Sequence, residues 1–178
     1  RTVGTFEQML EGNRDDGFVP LHYELYWWMG QNWKLTPLLM RLAPAIAGVV
    51  MIPAIYLLAR QLVSPRIGLL AALFAATSAY YLNYSRDAKM YMQTWSMITL
   101  HVAFLLWWLR GGGGVAWWAW VASGVAAVGL HSTAWLVVPV GALMLLTSGR
   151  PHWRWLLYPV GIAVMGIGPY IYYTQYNT

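Results

Sequence analysis

Residues 67–109 run IGLLAALFAATSAYYLNY (67–84), SRDAK (85–89) and MYMQTWSMITLHVAFLLWWL (90–109). Three charges in five residues interrupt two long apolar runs. About 20 mostly apolar residues are enough to cross a bilayer. The stretch therefore predicts two antiparallel membrane helices joined by a charged turn. The rest of the chain agrees. It is 59% hydrophobic and only 10% charged, against roughly 25% charged residues in soluble domains. Twelve Trp and twelve Tyr suit aromatic belts at the two membrane surfaces. There is no Cys, which excludes disulfides, thiolate nucleophiles and Cys-based metal sites. The net charge of +5 does not argue for nucleic acid, because placement of charge says more than its sum in such a chain.

Six spans are expected, near 38–59, 67–84, 88–109, 115–131, 133–148 and 155–173. Gly and Pro punctuate the short separators, as in Arg110-Gly-Gly-Gly-Gly114 and Ser148-Gly-Arg-Pro-His-Trp-Arg154. The fold class is thus all-α: a polytopic helical membrane protein with about six transmembrane helices and external juxtamembrane helices. Residues 1–37 read as an external loop with interfacial helices, and 38–178 as the transmembrane bundle. The chain starts at Arg1 without a signal peptide and reads as a fragment of a longer membrane protein. The segment PLHYELYWWMGQNW (20–33) is rich in Trp and Tyr and too short and polar to span. It predicts a helix lying at the membrane surface, with His22 and Glu24 solvated.

Charge sets the orientation. Alternating sides puts Arg60, Arg66, Arg110, Arg150 and Arg154 together with no acid. All six acidic residues fall on the opposite side, with Arg1, Arg14, Lys34, Arg41, Arg86 and Lys89. The positive-inside rule makes the first side cytoplasmic. The Ser85–Lys89 turn is then external. Ser85 is expected to cap the next helix and leave Asp87 in its first turn. Arg86, Lys89 and the helix N-terminus would supply positive potential suited to a phosphate. A plain solvated turn also accounts for these charges.

Several blocks, in order, carry a resemblance. They are Asp16-Gly-Phe-Val-Pro20-Leu-His-Tyr23, Arg41-Leu-Ala-Pro-Ala-Ile-Ala-Gly48, Tyr56-Leu-Leu-Ala-Arg60, Gly68-Leu-Leu-Ala-Ala-Leu73 and Tyr84-Ser-Arg-Asp-Ala-Lys-Met-Tyr91, with Gly129-Leu-His131 further on. Together they resemble the GT-C membrane glycosyltransferases, whose members include protein O-mannosyltransferases, lipid A aminoarabinose transferases and bacterial lipopolysaccharide glycosyltransferases. The resemblance covers roughly residues 3 to 135. It departs at Phe18 and Val19, where His or Lys and Pro are common.

The resemblance implies transfer of a hexose or pentose from a polyprenyl-phosphate donor to an acceptor hydroxyl on a protein, lipid or glycan. The reaction would invert the anomeric carbon on the external face of a bacterial or archaeal plasma membrane. It places the family's acidic pair, with the principal base, upstream of Arg1, so the fragment alone is expected to be inactive. Asp16 and Asp87 match the further acidic positions and are the candidate catalytic residues. Arg86, Lys89, Tyr91 and His131 are the candidate donor-phosphate and substrate-binding residues. Sugar or a divalent metal ion are both open as ligands of Asp16. His101, mid-span, reads as a neutral histidine packed between helices, Arg41 as an interface residue and His152 as structural. Two other classes stay open: a transporter, which would favour charges within spans and helices broken at the midplane, and a non-catalytic membrane scaffold.

Overall fold

The computed structural model describes residue 8 and residues 20–148. Among these all regular structure is helical. The elements are α1 (Pro20–Asn32), α2 (Pro37–Leu62), α3 (Pro65–Thr77), α4 (Ala79–Arg86), α5 (Tyr91–Leu109), α6 (Gly113–Leu130), a 3-10 turn (Ser132–Leu136) and α7 (Val137–Thr147). The expected sixth span and His152 lie outside the described residues.

Local chemistry sets the helix starts. Thr36 caps α2, its hydroxyl accepting the Leu39 amide at 3.2 Å, and Pro37 follows. Ser64 caps α3 in the same way through the Ile67 amide at 3.3 Å, and Pro65 follows. A Ser or Thr cap before Pro at the first helical position satisfies an orphan amide and presets φ. Between α5 and α6 the tetraglycine turn reverses the chain. Gly111 and Gly113 adopt φ of +99° and +66°, which side chains disfavour.

Two helices, α2 and α6, are each long and apolar enough to cross a membrane. At 26 residues α2 is about 39 Å long, longer than a hydrocarbon core of about 30 Å. The second expected span is broken. α3 and α4 meet at Ser78 with a bend of 56°, and the pair makes one span only if taken together. α5 has the length of a span but carries Gln93, Thr94, Ser96, Thr99 and His101. Four of these five are buried against neighbouring helices. The fifth expected span opens with the 3-10 turn and continues as α7. Apolar side chains face outward over the bundle, with Leu38 at 82% and Phe74 and Val115 at 72% exposure, as a bilayer-facing surface requires.

The buried polar groups of α5 are matched. The Ser96 hydroxyl lies 2.7 Å from the Ala47 carbonyl of α2. His101 Nδ1 donates to the Trp120 carbonyl at 2.9 Å, and its Nε2 accepts the Trp120 indole N–H at 3.0 Å. That pairing uses both nitrogens of a neutral imidazole, as the sequence suggests for His101.

Two apolar cores result. Leu105, Trp120, Ala127, Val128, Ala134, Val137 and Leu145 join α5, α6, the 3-10 turn and α7. Ala47, Met51 and Met92 join α2 and α5, with Tyr81, Tyr84 and Trp95 packed on them. The blocks that carry the resemblance meet in space. A Cβ on Gly48 would lie 2.6 Å from Ser85 Cβ, so α4 approaches α2 only because residue 48 has no side chain. A Cβ on Gly68 would lie 3.0 Å from both Tyr56 and Arg60. A Cβ on Gly129 would lie 3.3 Å from Leu21, which is how α1 rests on α6.

Candidate functional site

The turn at Asp87 has a different register from the one its sequence suggests. Ser85 lies inside α4 and its hydroxyl donates back to the Leu82 carbonyl at 2.9 Å. It does not cap the following helix. Asp87 is the C-cap of α4, and Arg86 occupies that helix's last turn, where a cation complements the dipole. α5 begins four residues beyond Asp87, after Met90, and has no side-chain cap. The reason is packing. Continuing α4 through Tyr84 and Ser85 sets Tyr84 against Trp95 at 4.8 Å and Ser85 against Gly48. The segment Asp87–Met90 is what bridges to α5. Lys89 Nζ lies 3.8 Å from Asp87 Oδ2, with both side chains about half exposed. Such an exposed pair contributes at most about 1 kcal/mol.

Pro44 sits inside α2 and has no N–H to give the Met40 carbonyl. The Tyr26 hydroxyl from α1 donates to that carbonyl instead. A proline inside one helix thereby creates the docking point for another. Burial, and then the negative charge of Asp87, push the Tyr26 phenol up to about 12.

On the same face of α1, His22, Tyr26 and Met29 are buried at i, i+4 and i+7. His22 is only 5% exposed. This corrects the expectation that it is solvated. Its Nδ1–H donates to Gln93 Oε1 of α5 at 3.2 Å, and its ring packs edge-on against Tyr26 at 4.7 Å. Burial holds its pKa below the ordinary 6.5 against the opposing effect of the Gln93 hydrogen bond. Glu24 is half-buried on the same helix.

Tyr91, the first residue of α5, faces His131 just past the end of α6, with ring centroids 5.6 Å apart. His131 Nδ1 accepts the Thr133 amide at 3.1 Å. In the neutral ring this leaves the proton on Nε2. Tyr91 also meets Tyr84 at 5.9 Å and Trp95 at 6.2 Å, and Tyr80 stacks on Trp95 at 5.5 Å. Of the residues singled out from sequence, Asp87 and Lys89 form one pair and Tyr91 and His131 another. Arg86 is exposed at the edge of the turn. Asp16 lies outside the described residues. His22, Tyr26 and Gln93 are additions. Their sequence signal is the i, i+4, i+7 spacing on α1 and a glutamine inside an apolar run. Among the described residues no three His, Asp or Glu side chains converge as a metal ion would need.

Beside this polar end lies an apolar groove of about 710 Å³ between α1, α2, α5 and α6. Leu25, Trp28, Leu42, Ala43, Ile46 and Leu130 are among its walls, and Gln93 is its polar member. Gln93 thus belongs to both the groove and the His22 contact.

No curated protein and no solved structure gives a significant match to the chain. A family model does, over residues 35–175, which takes in every described helix except α1. With that match laid over a helical, bilayer-facing bundle, the chain belongs to the dolichyl-phosphate-mannose-protein mannosyltransferase family of membrane glycosyltransferases.

Proposed function

We propose that the chain forms part of the donor site of an enzyme that moves a sugar from a polyprenyl-phosphate carrier to an acceptor hydroxyl on the external face. The observation that carries this reading is the apolar groove that meets a polar cluster at Gln93. A lipid-linked sugar has that same division into an apolar chain and a charged, hydroxyl-rich head. The prenyl chain occupies the groove beneath α1. The phosphate lies toward the first turn of α5, whose amides have no side-chain cap, with Arg86 and Lys89 close in sequence. The acceptor oxygen attacks the anomeric carbon, the bond from that carbon to the phosphate oxygen breaks, and a carboxylate takes the acceptor proton. The phosphate needs no proton to leave when cations hold its charge. Asp87 orients the acceptor or a neighbouring cation. Tyr91 and His131 flank the sugar, with His131 Nε2–H as a donor. Asp16 is assigned to the sugar side of the same site from its position in the resemblance. The acceptor is a hydroxyl of a protein, lipid or glycan.

The membrane helices and the bend at Ser78 are features a transporter would share. The family match favours transfer chemistry.

The test is a transfer assay with the complete protein and a polyprenyl-phosphate sugar. Ala43→Trp intrudes on the groove wall and should raise the donor KM on the order of tenfold with a smaller effect on kcat. Asp87→Asn keeps size and polarity but removes the charge, and should lower kcat on the order of 10²-fold. Folded variants that both turn over normally would refute the site.

A further inference from the structure

The far end of α5 carries a second cavity, of about 490 Å³, between α2, α3 and α5. Arg60 and Arg110 both line it, with Gln61, Leu57, Phe104 and Trp107. We propose that this cavity binds the headgroup of an anionic phospholipid, with the phosphate between Arg60 and Arg110 and the first acyl carbons against Leu57, Phe104 and Trp107.

Charge carries the argument. After Glu24 the chain holds a single acidic residue, Asp87, and it lies at the opposite end of α5, about 28 Å of helix away. The two arginines therefore share a cavity at a membrane surface with no carboxylate among the described residues at that end. Arg60 stacks over the Tyr56 ring at 5.5 Å, which positions its guanidinium without neutralising it. Gln61 Nε2 donates to the carbonyls of Ala103 at 2.9 Å and Leu57 at 3.0 Å. That contact clips α2 to α5 and leaves the Gln61 carbonyl oxygen as an acceptor for a headgroup hydroxyl. Gly68 contributes by omission: its missing Cβ lets α3 close on Tyr56 and Arg60. The cavity falls within the size range of small-molecule sites. Its mixed lining suits a lipid, which brings a phosphate and an apolar chain together, better than a free anion. Basic pockets between membrane helices recruit anionic lipids by this chemistry. The site is independent of the sugar-transfer reading, from which it is separated by the length of α5.

The experiment is a titration of the detergent-solubilised complete protein, read by native mass spectrometry. The probes are dioctanoyl phosphatidylglycerol, dioctanoyl phosphatidylcholine and inorganic phosphate. Saturable binding of phosphatidylglycerol, at least tenfold tighter than of phosphatidylcholine, is expected. Arg60→Gln and Arg110→Gln should each weaken it roughly fivefold, the effect of about one surface cation on an anionic lipid. Arg66→Gln, on the same side but outside the cavity wall, should leave it unchanged. Arg60→Gln disturbs the Tyr56 contact, so the exposed Arg110→Gln carries the result if Arg60→Gln fails to fold. Equal binding of the two lipids, or no effect of Arg110→Gln, overturns the proposal. Displacement of phosphatidylglycerol by an equal concentration of inorganic phosphate also overturns it, in favour of a free-anion site.

Discussion

Asp87 ends α4 where its neighbours in sequence suggest that it starts a helix. The residue types around it are legible as a charged external turn. The register is not, because Ser85 can cap or continue a helix equally well. Gly48 on α2 and Trp95 on α5 decide, and both belong to other helices. His22 makes the same point from the other direction. A histidine on a polar segment reads as solvated, yet the partner that buries it, Gln93, is 71 residues away. Its burial has a consequence for pH. The folded pKa lies below the unfolded value near 6.5 because the charged ring is poorly solvated. Above 6.5 the ring is neutral in both states and its contribution to stability is complete. As pH falls from 6.5 toward the lowered folded value, the unfolded chain takes up the proton first and stability is lost. The thermal midpoint should therefore drop between pH 7.5 and 5.5, and His22→Gln should flatten that drop. Parallel pH profiles for the two proteins would remove His22 as the cause.

At the level of elements, the docking of α1 depends on a defect in α2. Pro44 orphans the Met40 carbonyl and Tyr26 satisfies it. Tyr26→Phe leaves that carbonyl unpaired and should destabilise the fold by about 1–3 kcal/mol. In a Pro44→Ala background the restored amide of residue 44 takes up the Met40 carbonyl, so the same Tyr26→Phe change should cost clearly less. Denaturation midpoints of the four proteins in this double-mutant cycle measure the coupling. Equal costs in the two backgrounds would break the proposed link. That α2 and α6 are membrane helices is legible from apolar length alone. The bend at Ser78 is not, since the sequence is apolar on both sides of it. It arises where α4 turns to lay Tyr80 and Tyr84 on Trp95.

For the whole molecule, the charge asymmetry predicts that the Asp87 turn is external and the Val63 turn cytoplasmic. Because the chain has no Cys, single substitutions Val63→Cys and Lys89→Cys, both exposed, give unambiguous labels. An impermeant thiol reagent added to intact cells should modify position 89 and spare position 63. Modification of position 63 would invert the topology. The membrane class, the approximate spans and the family resemblance follow from the sequence itself, because hydrophobic length and the ordering of short blocks are local properties of the chain. Tertiary structure decided which polar groups meet. The His22–Gln93 contact, the Tyr26–Met40 bond, the Tyr91–His131 pair and the two-arginine cavity each join residues from different helices. Their partners are set by packing at Gly48, Gly68 and Gly129, where a missing side chain lets two elements approach. That approach is a property of surfaces brought together, and at Gly48 and Gly129 no short window along the chain contains both of them.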